Sequence, residues 1–217
     1  MANWKMRKRL VTGVLGAVTL LVGAKGSEAQ SKLGPQAPVT YTNRFEGYGG
    51  ISFDNFQAGQ NLPTRMNLAG IDLLGTMWLT QRWGVSADFR FDGGTTPVLA
   101  NPYKVNRPLV YRETGMLGGQ MRGWKNQYAA ANLHAFGGVS HGTFDQGTSV
   151  PPQVVGLYTN RTKPMGVVGA SLDFNRSARL AIRISPDLVF EHFGTETREF
   201  FSISGGVVYR FGQKTHY

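Results

Sequence analysis

The stretch FSISGGVVYRF, residues 201–211, alternates along its whole length between two kinds of side chain. One set of positions is mainly apolar: Phe201, Ile203, Gly205, Val207, Tyr209 and Phe211. The positions between them hold Ser202, Ser204, Gly206, Val208 and Arg210. Because successive side chains of an extended strand point to opposite faces, this period of two indicates a β-strand with one apolar and one more polar face.

Residues 180–191 and 85–92 show the same period, and the charged side chains of each stretch are confined to one face. Pro186 lies on the apolar face of the former and has no backbone N–H, so we expect a bulge or a local bend there. Weaker, glycine-rich strands are predicted at residues 44–53, 67–79, 110–122, 128–141 and 165–174. The sequence therefore predicts an all-β protein with eight strands.

The connections between the predicted strands alternate between short and long. The short ones are residues 81–83, 123–126 and 175–177, and the long ones are about 54–66, 92–109, 142–164 and 192–199. Outer-membrane β-barrels have short periplasmic turns and long external loops, whereas a water-soluble meander has no reason to keep its short turns at one end. The pattern predicts an eight-stranded, antiparallel, up-and-down transmembrane β-barrel.

Aromatic residues gather at both ends of the predicted strands, as they do at the two interfaces of a bilayer. At the tight-turn end we expect an aromatic girdle formed by Trp78, Trp83, Trp124, Tyr128, Tyr209 and Phe211. The loop end collects Phe53, Phe56, Phe91, Tyr111, Phe144, Phe190, Phe193 and Phe200. Aromatic residues that merely cap the core of a barrel are the alternative interpretation.

The N-terminal segment reads as a secretory signal peptide. A basic run at residues 5–9 precedes an apolar stretch at 10–24, which is too short to span a bilayer, and Ser27 and Ala29 provide the small residues of a cleavage site. We expect a cleaved signal at residues 1–29, a lead-in segment at 30–43, the barrel at 44–211 and a short tail at 212–217.

Composition excludes several classes of function. The chain has no cysteine, so it can form neither a disulfide framework nor an all-cysteine metal site. Part of its formal net charge of +10 belongs to the signal, and the remaining basic residues are scattered without a patch of stacking aromatics. We therefore expect no nucleic-acid partner, no metal and no cofactor.

The last strand and the stretch GVVGASLDFNRSARLAIRISPDLVF, residues 166–190, resemble the small bacterial outer-membrane β-barrel proteins of the OmpA-like transmembrane-domain type. In that family a C-terminal strand that ends on an aromatic residue is the signal for the barrel assembly machinery. Phe211 matches this residue, although Gly212 to Tyr217 follow it. The resemblance implies a monomer in the outer membrane, in contact with lipid and lipopolysaccharide, with a structural, adhesion or narrow-pore role.

If the apolar faces meet lipid, the other faces supply charged side chains of both signs to the interior. An eight-stranded barrel is only wide enough for its own side chains, so we expect a packed network of ion pairs in the lumen. Its predicted members are Glu46, Asp72, Asp88, Arg90, Arg112, Arg122, His134, Asp173, Arg183, Asp187 and Glu191.

Two other functions remain open at this stage. A lipopolysaccharide-modifying enzyme would need a nucleophile, a base and an acid, for which the chain offers His134, Ser140, His141 and Asp145. We favour polar filler in the lumen for these residues and predict no catalytic site. A secreted, lipocalin-like barrel would instead turn its apolar faces inward around a small ligand.

Overall fold

The alternating sequence folds into eight β-strands. Their first and last residues are taken from a computed structural model, which describes residues 39–59, 62, 65–146, 150–194 and 196–213. The predicted signal peptide, residues 30–38 of the lead-in and residues 214–217 lie outside the described residues. The strands are β1 (Asn43–Phe56), β2 (Met66–Trp78), β3 (Trp83–Thr95), β4 (Leu109–Lys125), β5 (Ala129–Gln146), β6 (Arg161–Asn175), β7 (Leu180–His192) and β8 (Thr197–Gln213).

Each strand pairs with the next in antiparallel orientation, and β1 also pairs with β8, which closes the sheet into a barrel. Phe45 lies opposite Phe211 and Asn43 opposite Gln213, so β8 continues two residues beyond the boundary expected for the barrel. The predicted fold class, an eight-stranded antiparallel up-and-down barrel, is confirmed. None of the helices among the described residues is both long enough and apolar enough to cross a membrane.

Several strands extend further at the loop end than the sequence predicts. β1 continues to Phe56, and β5 continues to Gln146, so part of each expected long loop is strand. A short 3₁₀ helix, Pro152–Val155, lies in the connection between β5 and β6. The apolar half of the alternation fades near these strand ends, which is why their sequence reads as loop.

Of the bulge or local bend expected at Pro186, the bulge is wrong. Pro186 pairs with Ile203, and the register between β7 and β8 is continuous on both sides of it. On the β6 side the register is the same at Gly169–Asp187 and at Leu172–Ile184, but Pro186 and Ser185 between them are not paired, so the ladder is interrupted at the proline. The shifts that the barrel does contain lie between β4 and β5, near Leu109 and near Arg122.

Candidate functional site: the polar lumen

The interior of the barrel is charged and the exterior is apolar. On β7, for example, Arg183, Asp187 and Glu191 are buried, whereas the alternate residues Ile184 and Leu188 are 43% and 43% exposed. The period of two therefore sends every charged residue of this strand inward and turns its apolar residues outward. Within the lumen, the charged side chains form three clusters at successive heights.

The turn-end cluster lies nearest the tight turns and is built around Glu46 and Asp173. Arg122 donates to Glu46 Oε1 at 2.6 Å, and Arg210 donates to the same oxygen at 3.2 Å. Arg183 donates to Asp173 Oδ1 through Nε at 2.6 Å and to Oδ2 through Nη2 at 2.8 Å, a bidentate pair. Arg210 also reaches Asp173 at 3.2 Å, so the guanidinium groups share both carboxylates.

The middle cluster places one guanidinium among three carboxylates. Arg90 Nη2 donates to Asp88 at 2.8 Å and to Asp187 at 2.6 Å, and Arg90 Nε lies 3.8 Å from Asp72. His134 Nε2 lies 2.8 Å from the other oxygen of Asp187. Asp88 lies two residues from Arg90 on β3, and Asp72 pairs with Arg90 across β2 and β3. Asp187 lies on β7, and closure of the barrel brings it to Arg90.

The loop-end cluster surrounds Arg112. Its Nη2 atom donates to Asp54 and, at 3.1 Å, to Asp92, while Nη1 lies 3.8 Å from Glu191. Ser52 donates to the other oxygen of Asp92 at 2.5 Å. Together the three clusters bring all the predicted network residues into hydrogen-bond or ion-pair contact with another lumen residue.

Sequence reasoning missed four charged residues of the lumen. Arg210 lies on the inward face that alternation assigns to the last strand, so the pattern could have identified it. Asp92 ends the predicted strand at residues 85–92 on the same face as Asp88, so the pattern could have identified it as well. Asp54 and Lys163 continue the inward alternation of β1 and β6, but they fall where the sequence reads as loop. The strands would have to be extended beyond their apolar stretch to find these residues.

An aromatic cap covers the polar lumen at the loop end. It consists of Phe56, Phe144, Tyr158, Phe193 and Phe200, and the Phe56 and Phe200 ring centroids lie 4.7 Å apart. Tyr158 stacks on Phe193 with a centroid distance of 3.9 Å. The backbone N–H of Tyr158 donates to Ala58 at 2.9 Å, which ties the connection between β5 and β6 to the end of β1.

Lys163 points from the wall of the barrel into this cap. Its Nζ atom lies 4.0 Å from the Phe193 centroid, 4.7 Å from that of Phe144 and 5.1 Å from that of Tyr158. The ammonium group is buried and has no hydrogen-bond partner among the described residues. Cation–π attraction is therefore a direct source of stabilisation for this charge in the cap.

Tyr158 also contacts the connection between β7 and β8. Its hydroxyl donates to Glu196 Oε1 at 2.7 Å, and Arg198 lies 2.8 Å from the other oxygen. The hydrogen bond from Tyr158, followed by that from Arg198, holds the pKa of the Glu196 carboxyl below its ordinary value. Burial raises the pKa of the Tyr158 hydroxyl, so it remains a donor at neutral pH.

The aromatic girdle at the tight-turn end differs from prediction at one residue. Trp83, Trp124, Tyr128, Tyr209 and Phe211 are between 47% and 70% exposed on the outside of the barrel. Trp78, by contrast, is only 2% exposed, and the guanidinium of Arg122 covers its ring inside the lumen. Its assignment to the girdle is wrong, because Trp78 shares the parity of Asp72 on β2 and must point inward with it.

The loop end requires a similar correction. Phe53, Phe91 and Tyr111 are exposed on the outer face, as an interfacial girdle requires. The members of the expected loop-end girdle that are buried form the cap instead: Phe56, Phe144, Phe193 and Phe200. The alternative reading, that aromatic residues cap the core, is therefore correct for these four.

The candidate catalytic residues do not assemble into a triad. Ser140 and His134 both face the lumen, but they are six residues apart on one strand, which corresponds to about 20 Å at the rise of an extended chain. His141 is exposed and lies 3.0 Å from Thr162. Asp187 lies between His134 and Ser185, so the histidine does not contact the serine as a general base would have to. The side chain of Asp145 lies outside the described residues.

Comparison with known proteins detects similarity in structure alone. No protein-family model matches the chain, and no curated protein matches it. The outer membrane protein OprG from Pseudomonas aeruginosa has a TM-score of 0.55 and 12% sequence identity, over 82% of this chain and 98% of that one. Neisserial surface protein A has a TM-score of 0.53 and 8% identity, over 77% of this chain and 97% of that one.

These identities are too low to transfer a ligand or a partner, but the shared architecture is clear. Both comparisons cover nearly the whole of the other chain, so the likeness extends to the complete barrel. Together with the closed sheet, the apolar exterior and the charged interior, it identifies the fold. The chain has the eight-stranded, antiparallel, closed β-barrel fold of small bacterial outer-membrane proteins.

Proposed function

We propose that this protein is a non-enzymatic outer-membrane barrel with a closed lumen, and that it serves the cell envelope as a structural element that displays its external loops. The observation that carries the proposal is the ion-paired interior beneath an aromatic cap. The largest fully buried side chains include Arg112, Arg122, Arg183 and Arg210, which are long enough to reach across a narrow lumen. A barrel filled in this way does not act as an open porin.

The distribution of polarity supports residence in a membrane rather than in water. The outward-facing residues Ile51, Phe89, Leu117 and Val168 are between 52% and 72% exposed, while Glu46, Asp88, Arg112 and Asp173 on the same strands are buried. A soluble ligand-binding barrel would have the opposite arrangement. Only a closed barrel or a helix satisfies its backbone groups in lipid, and this chain closes its sheet.

The proposed partners follow from this placement. The apolar belt would contact outer-membrane lipid, and the basic residues of the external loops would meet lipopolysaccharide phosphates. β8 would carry the signal for the barrel assembly machinery, with Phe211 on its outer face. We propose a monomer without cofactor or metal, in which the external loops make any adhesive contacts because they are free of packing constraints.

A narrow water path is a second candidate, and a specific observation favours it. In the layer around the loop-end cluster, buried polar atoms without a hydrogen-bond partner include Arg112 Nε, Thr114 Oγ1, Ser140 Oγ and Asp54 Oδ1. Donors and acceptors occur together, which is the setting in which ordered water is found inside proteins. Such water would lie beneath the cap and would not by itself open the barrel.

Planar-bilayer recording tests the closed lumen. We expect the folded protein to show no steady, large conductance, and we expect the Phe56→Ala/Phe200→Ala variant, which thins the cap, to conduct more than wild type. Phe53→Ala/Phe201→Ala is the matched control, because these phenylalanines are 51% and 51% exposed on the outer face. A large open-porin conductance from wild-type monomer would overturn the proposal. Recovery in the outer-membrane fraction, with a heat-dependent change in electrophoretic mobility, tests the location.

A further inference from the structure

The tight-turn end of the barrel carries a ring of basic side chains, which we call the turn rim. Its members are Arg44, Arg82, Lys125, Arg176 and Arg179. The four arginines are exposed and the lysine is partly exposed. The salt bridges found among the described residues all involve other basic side chains, so the turn rim is not paired within this part of the chain.

Nothing acidic on the described outer surface balances this end. The carboxylates at the same height, Glu46 and Asp173, are buried in the lumen and already bind arginines there. The acidic side chains that reach the described surface, Glu113, Glu196 and Glu199, lie at the loop end. The turn rim is therefore a band of uncompensated positive charge.

The positions of the basic residues follow the circumference of the barrel. Arg44 is the second residue of β1, Arg82 lies in the turn between β2 and β3, and Lys125 ends β4. Arg176 and Arg179 lie in the turn between β6 and β7. Each tight turn thus carries positive charge, and the charge is spread around the barrel. A binding site for a macromolecule that docks on one side would instead concentrate the charge on that side.

The turn rim lies directly beside the aromatic girdle. Arg82 adjoins Trp83 and Lys125 adjoins Trp124, and these tryptophans are 57% and 61% exposed. Aromatic residues of this kind lie at the level of lipid headgroups. At that level the basic side chains of the turn rim face the phosphate groups of lipids. Because these side chains surround the barrel, they match a plane of anionic headgroups around it.

We infer that the turn rim recruits anionic phospholipids to the barrel in the leaflet at the tight-turn end. The inference rests on the proposed membrane location. Its physical basis is the attraction between clustered basic residues and an anionic leaflet, where each residue near the surface contributes a few-fold in affinity. Lipopolysaccharide would not be the ligand, because it belongs to the leaflet at the loop end.

Trp83 and Trp124 allow the local lipid composition to be measured where the inference places it. In a Trp4→Phe background, the folded protein is placed in vesicles of phosphatidylcholine and phosphatidylglycerol, with bromines on one lipid or the other at equal mole fraction. We expect brominated phosphatidylglycerol to quench more strongly, with an apparent local enrichment of about two- to fivefold. Raising the salt concentration should reduce the enrichment, because it screens exposed charges.

The Arg82→Gln/Arg176→Gln/Arg179→Gln variant should bring the enrichment close to one. The matched control is Arg65→Gln/Lys104→Gln/Arg107→Gln, which removes the same charge from exposed positions at the loop end and should leave the enrichment unchanged. Equal quenching of the wild-type protein by the two brominated lipids would overturn the inference. If the protein then cosedimented with peptidoglycan, the turn rim would be assigned to binding of the cell wall. Absence of quenching by either lipid would instead overturn the membrane location on which the inference rests.

Discussion

The guanidinium carbon of Arg122 lies 3.8 Å from the centroid of the Trp78 ring, inside the barrel. Arg122 also donates to Glu46, so the indole covers a cation that is already held by a carboxylate. A desolvated pair of this kind is at the strong end of cation–π interactions, at about 2 kcal/mol. Trp78 therefore lies in the lumen and is also stabilised there by its contact with Arg122.

Lipid quenching should distinguish Trp78 from its neighbours at the tight-turn end. In a Trp4→Phe/Trp83→Phe/Trp124→Phe variant, only Trp78 remains, and we expect little quenching by brominated lipid because the ring is shielded by the barrel wall. A variant that keeps only Trp83 is the control and should be quenched strongly. Comparable quenching of the two variants would contradict the inward orientation of Trp78.

Removal of Asp173 should destabilise the barrel strongly. Asp173→Ala leaves Arg183 and Arg210 buried without one of their carboxylates, and the free energy of unfolding should fall by about 3–5 kcal/mol. Urea unfolding of the folded barrel in detergent measures the change. Glu199→Ala, at an exposed position, should alter it by less than about 0.5 kcal/mol. Similar losses in the two variants would mean that the turn-end cluster contributes no special stability.

The aromatic cap offers a comparison between two phenylalanines on one strand. Phe56 is 1% exposed and contacts three other rings, whereas Phe53 is 51% exposed on the outer face. We expect Phe56→Ala to lower the free energy of unfolding by about 3–5 kcal/mol because it leaves a cavity, and Phe53→Ala to lower it by less. Urea unfolding in detergent measures both changes. A larger loss of unfolding free energy for Phe53→Ala than for Phe56→Ala would show that the cap is not a packed core.

Adjacent glycines in β4 should respond differently to alanine. A Cβ at Gly118 would collide with the backbone of Ala135 and Phe136, whereas a Cβ at Gly119 would meet nothing within 4 Å. Gly118→Ala should therefore force β4 and β5 apart and lower the yield of heat-modifiable barrel. Gly119→Ala should be neutral, or should raise the free energy of unfolding by up to about 1 kcal/mol, because alanine lowers the conformational entropy of the unfolded chain. Equal folding yields would mean that β4 and β5 separate at little cost.

The contact between Tyr158 and Glu196 should depend on pH. The folded carboxyl has a pKa below its ordinary 4.5, so the contact contributes its full stability above that value and loses it as the pH falls through the lowered pKa. Carboxyl-carbon NMR should show the Glu196 pKa rising toward its ordinary value in Tyr158→Phe. Tyr103→Phe, at a tyrosine that is 53% exposed, is the control and should leave the titration unchanged.

The fold could be predicted from the sequence because lipid and lumen select opposite chemistries on alternate residues. This contrast is sharp in β3, β7 and β8, and their faces are correctly assigned by alternation alone. It fades at the loop end, where apolar residues such as Phe56 and Phe144 turn inward to form the cap. A sequence pattern records polarity, and there the inward face is no longer polar.

The pairing of charges could not be predicted in the same way. Alternation indicates that Arg90 and Asp187 face the same interior, but the contact between them depends on the tilt and stagger of strands that are far apart in the chain. Arg210 shows the same limit, since its inward face is evident and its two carboxylate partners are not. Register across the closed barrel supplies the information that the sequence pattern lacks.

Pairing of β1 with β8 also has a consequence for the order of events during biogenesis. The edge of β1 is completed by β8, which is synthesised after the seven other strands, so a nascent chain carries an unsatisfied strand edge at β1 until β8 has been made. Such an edge is prone to aggregation, and contacts between the first and last strands form slowly because they close the longest loop. The topology therefore leaves the chain exposed to aggregation until β8 has paired with β1.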